Sequence, residues 1–159
     1  MSTGFYAGSF DPFTNGHLQV VKTAATLFDE VVIGIGVNPN KDRLFNEESM
    51  KLAIEKTLQA EGLTNIYVIH YTGLTSDIAR THDASFFIRG LRNDMDYNYE
   101  ENIAQINQEI GGIDTLYIRA GQMGFVSSSM VMELFEHGKD VSNYVPSEVL
   151  RIISNSHLL

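Results

Sequence analysis

The chain contains no cysteine, so it can form neither a disulfide nor a thiolate metal site. Basic residues are scarce too: 11 Lys and Arg against 20 Asp and Glu give a formal net charge of −9. That balance argues against non-specific nucleic-acid binding, which rests on cations neutralising phosphates. It still allows an anionic small molecule, for which a local cluster of the few cations suffices. No apolar run approaches the roughly 20 residues of a membrane span. The opening MSTGFYAG has no basic stretch ahead of an apolar one, as a signal peptide would. Repeats, low-complexity tracts and Pro/Ser-rich linkers are missing as well. The expectation is one domain over residues 1–159, with about two-thirds of its unfolded surface buried and no staple needed. A reducing, cytoplasmic setting fits the lack of thiols.

Several catalytic signatures are also absent. There is no GxxxxGKS/T phosphate loop and no GxGxxG dinucleotide turn. No Ser/His/Asp or Cys/His set presents itself. His70, His82, His137 and His157 have no metal-ligand spacing and read as structural or solvated.

What is present is alternation. GFYAG is a short apolar run ending at Gly8, and from about Asn15 to Asp29 the residues Leu18, Val21, Ala25 and Phe28 recur at helical spacing. Thr14 or Asn15 can cap that helix. Glu30 to Val37 (EVVIGIGV) is β-branched and almost wholly apolar, as in a strand covered on both faces. A helix is expected at 47–61, a strand at 66–70, a short helix at 75–82, and a strand at 85–88 followed at once by RGLR. A helix at 96–110, a strand at 115–118, a Ser-capped helix ending at Gly138 and a last helix after Pro146 complete the pattern. Such alternation predicts right-handed βαβ crossovers, hence a parallel sheet with helices on both faces. Ligands bind such sheets at the carboxyl ends of the strands, and the polar clusters lie there.

Four clusters suit an anion. In GSFDPFTNGH (Gly8 to His17), Gly8 admits unusual backbone geometry and Gly16 lets a ligand approach a helix start. The unpaired first-turn N–H groups favour phosphate, and His17 can donate a hydrogen bond to it. In RGLR (Arg89 to Arg92), two of the six arginines lie three residues apart; their planar forks match phosphate oxygens. Ser127 to Ser129 offer hydroxyls at another helix start. Lys41 stands in the loop after the second strand. Each has a plainer reading: an N-cap, surface arginines paired with Asp94, Asp96 or Glu100, a solvated lysine. Their convergence on one sheet edge points instead to a substrate with several phosphates.

These stretches resemble a known family. GSFDPFTNGH is similar to the S/T-x-D-P-x-S/T-x-G-H signature of the HIGH-type nucleotidyltransferases, and VSSS to their I-S-S-S/T element. Ile88 to Glu100 (IRGLRNDMDYNYE) resembles the R-G-L/I-R-x-x-x-D-F/Y-x-Y-E stretch of bacterial phosphopantetheine adenylyltransferases. NPNK before LF, GLTSDIA and the late DVSNYVP run in that family's order. The resemblance implies a Rossmann-like α/β fold, a single-domain doubly wound five-stranded parallel sheet with helices on both faces. It implies adenylyl transfer from ATP to 4′-phosphopantetheine, giving dephospho-coenzyme A and pyrophosphate, with no nucleic acid or membrane involved. By the same resemblance His17 stabilises the transition state, with Lys41 and Arg92 also catalytic. Ser9, Lys41, Thr75 and Arg89 hold 4′-phosphopantetheine. ATP meets Ser9, Phe10, His17, Gly90, Leu91, Arg92 and Glu100, together with Met123, Gly124, Phe125, Val126, Ser127, Ser128 and Ser129. Mg²⁺ accompanies ATP without an assigned protein ligand, and the family is typically a homohexamer. The chain departs from the family's usual residues at Met50, Asn98, Met132 and the loop 120–124. A sister enzyme acting on nicotinate mononucleotide or a polyol phosphate, and a binding protein without turnover, are the alternatives.

Overall fold

The protein is described from a computed structural model. The structure describes residues 1–92 and 94–156, and of Asp94, Met95, Asp96 and Asn98 the backbone alone. The chain runs β1 (Thr3–Gly8), α1 (Asn15–Leu27), β2 (Glu30–Gly36), α2 (Glu47–Ala60), β3 (Ile66–Tyr71), α3 (Thr75–Thr81), β4 (Phe86–Leu91), α4 (Asp94–Gly111) and β5 (Asp114–Arg119). A 3₁₀ turn (Gly121–Met123), α5 (Ser128–Glu136) and α6 (Ser147–Ser156) follow. The strands form one parallel sheet in the order β3-β2-β1-β4-β5.

Both faces of that sheet are covered, which explains the unbroken apolar strands. Strand residues alternate between faces. Tyr6, Ile33, Ile35, Ile88 and Ile118 pack with side chains of α1, α2, α5 and α6. Phe5, Ala7, Val32 and Phe87 pack with Ala79 of α3 and Ile113, the residue ahead of β5. Met50 of α2 is fully buried in the larger cluster, where a charged side chain would need a partner. Among the described residues no helix is long and apolar enough to cross a membrane.

The expected elements are present with shifted ends. β4 runs three residues beyond Ile88: Arg89, Gly90 and Leu91 pair with Tyr117, Ile118 and Arg119. Ladder bonds to β5 thus outweigh the weak strand preference of Arg and Gly, and RGL is strand rather than the turn after it. α4 begins at Asp94, and α1 stops at Leu27 because Phe28 turns extended and sinks into the core. From β1 the chain moves one way to β2 and β3, then returns to place β4 on the other side of β1. The carboxyl ends of β1 and β4 therefore flank the point where strand order reverses, the position at which such sheets open a crevice.

Candidate active site

A cavity of about 550 Å³ opens at that point, a size ordinary for small-molecule sites. Its lining comes from the residues after β1 (Ser9, Phe10, Asp11), the start of α1 (Gly16, His17), the end of β4 (Arg89, Gly90, Arg92), Glu100 of α4, and Val126 to Ser129.

His17 is built into the helix it begins. Thr14 caps α1: its hydroxyl accepts the His17 N–H at 3.3 Å, and its own N–H donates to His17 Nδ1 at 3.0 Å. This is the reciprocal arrangement of a capping box, with an imidazole in the usual place of a glutamate. Because Nδ1 accepts, the ring proton sits on Nε2, and the neutral ring presents Nε2–H to the cavity that the residue lines. A second proton would have to enter at Nδ1, facing another N–H. Burial, followed by the positive charges of Arg92 and Arg89, lowers the His17 pKa to about 3.

A pH dependence follows. Unfolding restores a histidine that takes up a proton below about 6.5, while the folded ring stays neutral to about 3. The stabilising difference is complete above pH 6.5 and is lost as pH falls toward 3, by at most about 1.4 kcal/mol per pH unit. Ring ¹⁵N shifts of the free protein are expected to report the Nε2–H tautomer at both pH 8 and pH 5. An imidazolium at pH 6 contradicts the assignment.

The first turn of α1 has little left over for a ligand. The Asn15 N–H donates to the Tyr144 carbonyl at 2.7 Å, and the Leu18 N–H to the Thr14 carbonyl at 3.0 Å. Among the described residues the Gly16 N–H has no acceptor, so this amide and His17 Nε2–H are the donors that remain. A Cβ on Gly16 would stand 3.1 Å from the Met123 carbonyl and 3.2 Å from that of Val126. The glycine thus makes room for the approach to α5 as well as for a ligand. Gly8 is not in the left-handed region; Phe10 is, at φ 46°. Gly8 is needed because the Phe10 ring folds back over it, 3.1 Å from where a Cβ would be.

Arg89 is held rather than loose. Its Nε and Nη2 donate to the two Glu100 carboxylate oxygens at 2.5 and 2.7 Å, and Nη1 donates to the Ala7 carbonyl at 2.7 Å. Burial opposes its charge, and the Glu100 carboxylate more than offsets that, raising the Arg89 pKa. Burial likewise pushes the Tyr6 phenol up, so it lines the cavity uncharged. At α5, Ser127 caps the helix by accepting the Met130 N–H at 3.1 Å, while the Ser128 hydroxyl donates to the Pro12 carbonyl at 2.7 Å.

Residues 5–134 match the cytidylyltransferase-like family. The phosphopantetheine adenylyltransferase of Flavobacterium johnsoniae is 41% identical over 150 residues, covering 94% of this chain and 97% of the relative. That of Phocaeicola vulgatus is 43% identical over 147 residues, covering 92% and 96%. The chain belongs to the phosphopantetheine adenylyltransferase family. A crystal structure from Vibrio parahaemolyticus, provisionally assigned as a nicotinate-nucleotide adenylyltransferase, superposes with a TM-score of 0.69 over 98% of this chain and 93% of that one. At 15% identity it speaks for the fold alone.

Within this family member the expected residues divide. Ser9, Phe10, His17, Arg89, Gly90, Arg92, Glu100, Val126, Ser127, Ser128 and Ser129 all line the cavity. Lys41, Thr75, Leu91, Met123, Gly124 and Phe125 are not among the lining residues. Lys41 is exposed on the loop between β2 and α2. The Thr75 hydroxyl lies 2.9 Å from that of Tyr71 at the head of α3. Phe125 is exposed, with its ring 5.9 Å from that of Tyr144. Met132 lines the cavity although buried. Asn98, His157 and the pairing of Arg89 or Arg92 with Asp94 or Asp96 lie outside the described side chains. Sequence reasoning missed Asp11, Leu44 and Tyr6 as lining residues, and Arg43 altogether. The Asp-Pro of the signature was the available signal for Asp11; nothing local marks the others.

Proposed function

We infer that this cavity is where the adenylyl group passes from ATP to 4′-phosphopantetheine. A phosphate oxygen of 4′-phosphopantetheine attacks the α-phosphorus of ATP, and the bond from that phosphorus to the bridging oxygen breaks. Dephospho-coenzyme A forms and pyrophosphate leaves. The substrate supplies the nucleophile, so the protein's task is to align two polyanions and stabilise developing charge. The observation that carries this reading is His17, whose Nδ1 is spent on the cap and whose neutral Nε2–H remains as a preorganised donor. Beside it, the Gly16 amide, Arg92 and the start of α5 would receive the ATP phosphates. Arg89 and Ser9 would receive the phosphate of 4′-phosphopantetheine, with Lys41 meeting it from the neighbouring loop.

The described side chains lining the cavity include two arginines, two carboxylates and the neutral His17. Their formal charges cancel, which supports Mg²⁺ arriving with ATP as the counter-ion of its phosphates. Asp11 and Glu100 are both engaged by protein donors, so the ion is assigned to the phosphates rather than to side chains. We also propose a homohexamer in the cytoplasm; the exposed Tyr99, Ile106 and Ile110 on α4 offer an apolar face to a second copy. The test is pyrophosphate release from ATP and Mg²⁺ with and without 4′-phosphopantetheine. Release that requires 4′-phosphopantetheine is expected; release driven instead by nicotinate mononucleotide supports the sister activity.

A further inference from the structure

Two loops rise from the carboxyl ends of neighbouring strands, where Gly8 of β1 pairs with Ile35 of β2. Residues 9–14 carry Ser9 and Phe10, and residues 37–46 carry Lys41. One guanidinium joins them. Arg43 Nη1 donates to the Ser9 carbonyl at 2.6 Å, Nη2 to the Phe10 carbonyl at 3.4 Å, and Nε to the Phe45 carbonyl at 2.9 Å. Asp11 answers from the other loop. Its carboxylate lies 3.6 Å from Nη2 and accepts the Leu44 and Phe45 N–H groups at 2.8 and 2.9 Å. The two side chains are only 11% and 16% exposed.

We propose that Arg43 is a positioning residue for adenylyl transfer, fixing the turn of Ser9 and Phe10 against the loop of Lys41 without lining the cavity itself. The inference rests on the reading above. Phe10 holds φ 46°, a left-handed conformation that bulky residues rarely keep unless their surroundings enforce it. In that conformation its ring packs edge-on to His17, with centroids 5.0 Å apart, and to Tyr6 at 5.2 Å. The carbonyls on either side of the Phe10 nitrogen and Cα are the ones Arg43 binds. Release of those carbonyls lets Phe10 return to negative φ. Its ring then withdraws from His17, and Ser9 shifts at the cavity wall. Lysine cannot replace the fork, because a single ammonium cannot reach carbonyls on both loops in fixed geometry.

The test compares R43A and R43K with wild type. Turnover and both KM values are read from pyrophosphate release, thermal midpoints from circular dichroism, and the Phe10–His17 ring contact from nuclear Overhauser effects. Displacement of a reacting group by about 1 Å costs on the order of 10²-fold. R43A is therefore expected to lose about 10- to 100-fold in kcat while still folded at the assay temperature. R43K is expected to lose most of that, and the ring contact should weaken in both. Millimolar guanidinium should restore part of the R43A turnover. Wild-type kcat and KM in R43K, or loss in R43A that only follows its unfolded fraction, overturns the proposal. Absence of pyrophosphate release from wild type would instead count against the adenylyl-transfer reading. The ring contact then decides for Arg43: its persistence in R43A overturns the proposed hold on the turn.

Discussion

His17→Ala is expected to lower turnover by at least about 10²–10³, the usual loss when one preorganised donor to developing charge is removed, with the fold retained. The side chain has two jobs, and their costs separate. Its Nδ1 accepts the Thr14 N–H at the start of α1, and losing a cap typically costs about 1 kcal/mol of stability. Its Nε2–H serves the cavity, and losing that donor affects only the barrier. Thr14→Ala is the matching control. It removes the hydroxyl that accepts the His17 N–H but keeps the ring, so it should cost similar stability and little turnover. Pyrophosphate release and denaturant melts on both variants read the two effects independently. An unchanged turnover number in His17→Ala removes the ring from the mechanism.

Glu100→Ala is expected to destabilise the protein by about 3 kcal/mol, the range for breaking one side of a buried ion pair. The value belongs at the low end because the Arg89 side chain keeps 30% of its exposure, against 11% for Glu100. Both oxygens of Glu100 hold Arg89, so losing them frees the guanidinium to change direction at the end of β4. The KM for 4′-phosphopantetheine should then rise about tenfold, as a loss near 1.4 kcal/mol of binding implies, with the KM for ATP little changed. The family resemblance assigns Glu100 to ATP, and that role has the opposite signature: a raised KM for ATP and near-normal stability. Two-substrate kinetics and urea melts distinguish them.

Much of the scaffold was legible because its signals are local. EVVIGIGV reads as a doubly covered strand wherever it stands, and Leu18 and Val21 mark the buried side of α1. The convergence of the Gly8–His17 turn, the arginines and the serines followed from a general property of parallel sheets. What escaped depends on partners distant in sequence. Arg89 to Leu91 are strand because β5 pairs with them, and nothing in RGLR itself says so. The burden of unusual backbone falls on Phe10, not Gly8, since the Arg43 fork arrives from more than thirty residues away. Arginines at 89 and 92 looked alike, with Glu100 one of three acidic partners open to either; only the fold shows that Glu100, nearly two turns into α4, is engaged by Arg89. Lys41 and Thr75 were placed by resemblance; the structure leaves them off the cavity wall because one is on an exposed loop and the other is tied to Tyr71.

The crowding of Gly16 against the carbonyls of Met123 and Val126, with the Ser128 hydroxyl fastened to Pro12, has a dynamic consequence. The beginnings of α1 and α5 are stapled to each other, so neither can fray alone. Amide exchange at residues 15–18 and 128–131 should therefore proceed through one shared opening event. A methyl group added at position 16 would wedge that staple and quicken exchange in both segments together.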